Sequence, residues 1–66
     1  MTINFISLRL WRIRFRDSSE GADRYPSLMV AAADPMTALE LGCAALPFTG
    51  TFDELEATPD IVVVTM

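Results

Sequence analysis

Residues 5–16 read Phe5-Ile6-Ser7-Leu8-Arg9-Leu10-Trp11-Arg12-Ile13-Arg14-Phe15-Arg16. Apolar and other residues alternate, as in a β-strand whose successive side chains point to opposite faces. The alternation changes phase midway. Ile6, Leu8 and Leu10 are apolar at even positions. Trp11, Ile13 and Phe15 are then apolar at odd positions, with Arg12, Arg14 and Arg16 opposite them. A strict period-two strand cannot hold both sets on one face. One solution is a bulge near residues 10–11 that twists the strand and brings both sets to one core. The alternative is cover on both faces of the first half.

The rest of the chain falls into place around this strand. Residues 17–26 are polar, with Gly21 and Pro26, and read as a loop. A second strand runs from Ser27 to Ala32 or Ala33, and its alanines let a helix approach closely. Asp34-Pro35 is a helix start, an N-cap carboxylate followed by the residue type that suits the first helical position. The helix is predicted over residues 35–46 and stops before Pro47. Met36, Leu39, Cys43 and Leu46 recur at helical spacing and are expected to face the sheet; Ala38, Gly42 and Ala45 form a second, small-residue line. Only Thr37 and Glu40 are polar, so part of the helix's back is expected to be covered as well.

Residues 47–60 read as a connection. Thr51 and Glu54 match a capping box, which predicts a helical turn or two over residues 52–57. Residues 61–66 carry no charge and form the last strand, either central or an edge paired across an interface. The fold class is α+β, in the order β-β-α-β: a single small domain over residues 1–66. A three-stranded, mainly antiparallel sheet has the first strand in the middle and one helix packed on one face.

A 66-residue chain buries only about 60% of its unfolded surface. Cys43 is the one cysteine and there is no histidine, so no disulfide closes within the chain and a zinc site is not expected. Yet 52% of the residues are hydrophobic. Association is the remaining way to stabilise so small a domain, which predicts a homodimer or a place in a larger complex. No secretory signal is legible. Residues 1–16 carry four arginines and no acid, as a transit peptide does, but the β alternation argues against that. No uncharged stretch approaches the ~20 residues of a membrane span. The expected location is the cytoplasm.

Charge divides the chain. Residues 1–24 hold all five arginines against Asp17, Glu20 and Asp23; residues 25–66 hold six acids and no base. With no histidine, no lysine and one tyrosine, a nucleophile lacks its usual base, so neither an enzyme nor a cofactor is expected. Cys43 reads as a small buried apolar side chain. Asp53, Glu54, Glu56 and Asp60 match no calcium loop. They read as a solvated loop or as an acidic surface for a basic protein groove. Arginines beside aromatics also suit single-stranded nucleic acid. Against that, Trp11 shares the apolar face, and a chain of isoelectric point near 4.4 is repelled by a polyanion. The candidate contact residues for a protein partner are Arg9, Arg12, Arg14 and Arg16, with Asp53, Glu54 and Glu56.

The layout resembles small accessory proteins of phages and other mobile elements. Those join a basic-aromatic strand, here Trp11-Arg12-Ile13-Arg14-Phe15-Arg16-Asp17, to a strand and a capped helix, here Ala33-Asp34-Pro35-Met36-Thr37-Ala38-Leu39-Glu40. The resemblance covers about half the chain. It implies a protein that acts by binding a host defence or transcription complex. The leading expectation is a non-enzymatic, dimeric protein-binding module, such as an inhibitor of a host complex. The alternatives are a small nucleic-acid-binding protein and a structural subunit of a larger assembly.

Overall fold

Asp34 starts the helix as its residue type predicts. Its backbone is extended, and its carboxylate accepts hydrogen bonds from the Thr37 amide at 2.7 Å and the Thr37 hydroxyl at 3.1 Å. Pro35 follows in the first turn, and the Leu46 amide closes the far end on the Cys43 carbonyl at 3.3 Å. The protein, a computed structural model that describes residues 3–19 and 21–65, has four elements. They are strand β1 (Phe5–Asp17), strand β2 (Ser27–Ala32), helix α1 (Pro35–Ala45) and strand β3 (Gly50–Thr65). Strands β2 and β3 flank β1, each antiparallel to it, and α1 crosses one face as the link from β2 to β3. The β-β-α-β order and the central first strand are as the sequence implies.

The helix meets the sheet through its small residues. Ala38 and Gly42 are buried, Leu39 and Leu46 are half-buried, and Met36 and Cys43 are exposed. This corrects the expected core line of Met36, Leu39, Cys43 and Leu46. The reason lies at Gly42. A Cβ there would overlap Cδ1 of Ile13 and lie 3.1 Å from its Cγ1, so the Ile13 side chain occupies the space that glycine leaves. A larger residue on that line would push the helix off the sheet. The buried apolar set among the described residues is Ile13, Phe15, Ala32 and Ala38, and Ile13 is its one fully buried large side chain.

Strand β3 departs most from expectation. Residues 50–60 form no loop and no helical turn; they are the first part of a 16-residue strand. Two irregularities divide it. Phe15 pairs with Phe52 and Arg14 with Glu54, leaving Asp53 as an extra residue; Arg9 pairs with Ile61 and Trp11 with Ala57, leaving residues 58–60 opposite Leu10. The extra residue at Asp53 puts Phe52 and Leu55 on one face three positions apart, which is helical spacing on a strand. Pro59 has no amide to donate and sits where the ladder is already interrupted, on an edge strand. Thr58 is buried and mends the gap. Its hydroxyl donates to the Leu10 carbonyl at 2.7 Å and accepts from the Asp60 amide at 3.2 Å, while Arg9 donates to the Thr58 carbonyl at 2.8 Å.

The expected irregularity near residues 10–11 therefore exists, but its extra residues belong to β3. Strand β1 pairs with β2 without a break from Arg9 to Arg14. By alternation Trp11, Ile13 and Phe15 point to the helix side. Ile6, Leu8 and Leu10 share the open side with Arg12, Arg14 and Arg16. The two apolar sets do not merge into one core. Because β2 ends opposite Arg9, residues 5–8 pair only with residues 62–65, and this two-stranded arm contributes to a molecule of 55 × 21 × 17 Å. Met66, assigned to the last strand, lies outside the described residues.

The Gly42 notch yields a coupled prediction. Gly42→Ala should destabilise by about 1–3 kcal/mol through overpacking, less the ~1 kcal/mol that alanine gains in a helix. Ile13→Val, which removes Cδ1, should recover part of that loss in the double variant. Additive effects in a double-mutant cycle, read by urea unfolding at fixed protein concentration, would place Ile13 elsewhere. Likewise Thr58→Val should cost about 1–3 kcal/mol, because it leaves the Leu10 carbonyl unpaired; an unchanged urea midpoint would show that the hydroxyl is dispensable.

Candidate functional site

Two surfaces stand out, and neither is a cleft. The first is the charged half of the open face. Arg12 and Glu56 are register partners, as are Arg14 and Glu54. Arg12 Nη1 lies 3.4 Å from Glu56 Oε2, Arg14 Nη2 lies 2.8 Å from Glu54 Oε2, and Arg14 Nε lies 2.6 Å from Asp53 Oδ2. The extra residue in β3 is what lets Asp53 reach the same arginine as Glu54. The hydrogen bond to Asp53, and then the charge of that carboxylate, hold the Arg14 guanidinium above its ordinary value. Its carbon also sits 6.0 Å from the centre of the Tyr25 ring, within cation–π range. Arg16 is exposed opposite Thr51.

In the sequence the arginine row and the acidic segment read as separate candidate contact surfaces. The structure brings Arg12, Arg14, Asp53, Glu54 and Glu56 together into one patch that neutralises much of its own charge. Arg9 belongs elsewhere: it lies on the other parity of β1 and binds the Thr58 carbonyl. Trp11 is half-buried on the helix side, and its indole donates to the Ala32 carbonyl at 3.0 Å. The depression between Arg12, Arg14, Ser27, Glu54 and Glu56 measures about 150 Å³, below the ~300 Å³ of a small-molecule pocket.

The second surface is the arm, which the reading of single residues missed. Phe5, Ile61 and Val63 stand on the helix-side parity and are 59–63% exposed, so α1 does not shelter them; Ile6, Val62 and Val64 on the open side are 36–39% exposed. Neither residues 3–8 nor residues 61–65 carry a charge. That joint absence was the available signal, hidden because the segments lie at opposite ends of the chain. Elsewhere Met36, Leu41 and Phe48 are exposed around the helix.

The loops are held by carboxylates. Asp17 accepts from the Ser19 amide at 3.0 Å and the Thr49 hydroxyl at 2.8 Å, tying the turn after β1 to the residue that precedes β3, and these bonds hold its carboxyl below the usual range. The Thr37 amide and hydroxyl do the same for Asp34. Among the described residues no three His, Cys, Asp or Glu side chains converge as a metal site would need, and no helix is long and apolar enough to cross a membrane. Comparisons with protein-family models, curated proteins and solved structures find no match.

Both lowered carboxyls have a definite sign. Their contribution is present above the unfolded aspartate value near 4 and is lost as pH falls through the lower folded value. Helical circular dichroism should therefore decline below about pH 4, and Asp34→Ala should lower the unfolding midpoint at neutral pH while weakening that acid limb. An equal midpoint at pH 7 would show that the helix starts elsewhere. On the sheet, Trp11→Ala should cost about 3 kcal/mol. Replacing Arg12, Arg14 and Arg16 together with Gln should leave the melting curve little changed, since exposed ion pairs contribute little; the reverse ranking would invert the two faces.

Proposed function

We propose that the chain is a non-enzymatic protein-binding module. The observation that carries this reading is its uncovered apolar surface. Just over half the residues are hydrophobic, yet one large side chain is fully buried among the described residues, and the apolar arm meets water on both faces. An isolated two-stranded ribbon is marginal in water, and contiguous apolar patches mark protein contacts. Covering the remaining exposure of Ile3, Phe5, Ile6, Ile61, Val62, Val63 and Val64 is worth roughly 5–10 kcal/mol, at about 1.5–3 kcal/mol per fully buried side chain and about half of each exposed. The costs of association subtract from that figure. The resemblance to phage accessory proteins supports a host defence or transcription complex as the target, bound stoichiometrically, with the module itself dimeric.

Single-stranded nucleic-acid binding is the second reading, favoured by the exposed row Arg12, Arg14 and Arg16. Its support is weaker. Arg12 and Arg14 face carboxylates within 3.4 Å, and the Trp11 ring is turned to the helix side. A backbone phosphate would have to displace Asp53, Glu54 and Glu56.

Affinity capture with the tagged full-length chain, at about 0.1 and 0.5 M salt, separates the two readings. A protein retained at both concentrations, by the wild type and by the Arg12, Arg14 and Arg16→Gln variant alike, is expected. Nucleic acid in the eluate, lost steeply with salt and absent from the Gln variant, would overturn the protein-binding reading.

A further inference from the structure

We propose that the arm's partner is a second copy of this chain, joined edge to edge through residues 61–65 of β3 across a two-fold axis at Val63. This rests on the protein-binding reading and names the occupant of the arm.

Strand β3 is an outer strand along its whole length, and among the described residues no strand pairs with its far side. An open edge is a template for another chain, and proteins guard it with charge, proline and bulges. From Gly50 to Asp60 every such device is present: the extra residue at Asp53, the carboxylates of Glu54 and Glu56, and the interruption at Thr58, Pro59 and Asp60. From Ile61 onward there is none. The guard stops where the arm begins.

The open part is self-complementary. Ile61, Val62, Val63, Val64 and Thr65 are all β-branched, and their order is nearly symmetric about Val63. An isologous joint pairs each residue with its symmetry counterpart. With the axis perpendicular to the sheet, Val63 faces its own copy, Val62 faces Val64, and Ile61 faces Thr65. These are β-branched cross-strand pairs with no like charges opposed. Moving the axis toward Gly50 brings first Asp60, then Pro59, which has no amide, and later Glu56 into the joint, so the register is limited on that side. The other open edge of the arm, residues 3–8, lacks this symmetry. About Ile6 it would set Phe5 against Ser7 and Asn4 against Leu8. The joint continues the sheet as β2-β1-β3 followed by its symmetry copy in reverse, and sets the arms side by side.

The full-length chain tests this by sedimentation and by cross-linking. Wild type at micromolar concentration should sediment as a dimer, and Val63→Lys, which opposes two charges at the axis, should shift it to monomer. Because that variant can lose its fold, the second arm is Val63→Cys in a Cys43→Ala background. Antiparallel partners lie about 4.5–5.5 Å apart at Cα, within disulfide range, so mild oxidation should give a covalent dimer. Ile6→Cys and Thr51→Cys in the same background should stay single. A folded wild-type monomer, or a dimer that cross-links at Ile6→Cys or Thr51→Cys but not at Val63→Cys, would overturn the inference. In either case a host protein captured through the arm, and lost on Phe5→Ser, would leave the protein-binding reading intact. A folded monomer that captures nothing would sink both.

Discussion

The Ile13 side chain occupies the space left by the missing side chain of Gly42, and the rest of the molecule follows from that contact. Close approach of α1 to β1 requires small residues along the helix's inner line, so Ala38 and Gly42 face the sheet. Met36 and Leu41 are turned outward as a result, and Leu39 is half-buried. A helix seated this closely buries little beyond Ile13, Phe15 and two alanines, and 52% of the chain is hydrophobic. Small domains are marginal even with a full core. Here apolar surface that would ordinarily fill a core lies outside it, on the arm and around the helix, and a partner that covered it would add to the stability of the fold.

The interruption of β3 at residues 58–60 separates body from arm. Buried Thr58, with its hydroxyl on the Leu10 carbonyl, keeps the strand attached where proline and two extra residues break the ladder. On one side of the break the open face is salt-bridged and the sheet has three strands. On the other the sheet has two strands, and residues 3–8 and 61–65 contain no charge. Charge and apolar surface are thus sorted along one long sheet.

Much of the fold is legible in the residues themselves. The alternation of β1, the Asp34-Pro35 start and the element order all survive in the structure. The strand over residues 50–60 is not legible, because Thr51 and Glu54 match a capping box and the extra residue at Asp53 sets Phe52 and Leu55 three positions apart, so no period-two pattern shows. The helix face is misread for a related reason: Met36, Leu39 and Cys43 compete with Ala38 and Gly42 at the same period. Hydrophobicity favours a line of which Leu39 is half-buried and Met36 and Cys43 are exposed, while Ala45 of the small-residue line is exposed too. What decides is the shape of Ile13 on another strand, which no local pattern contains. The pairing of Arg12 and Arg14 with Glu56, Glu54 and Asp53 depends on a register set by the same irregularity, so arginines and acids read separately look like two surfaces.

The central claim is that the arm is covered in solution. Every second amide of residues 61–65 points away from β1 toward the open edge of the sheet. Hydrogen–deuterium exchange on the full-length chain at micromolar concentration tests the claim most directly. Slow exchange of both inward and outward amides over residues 61–65, against fast outward amides over residues 50–56, is expected if another strand lies on that edge. Fast exchange of the outward amides at 61–65 in a folded protein would contradict it.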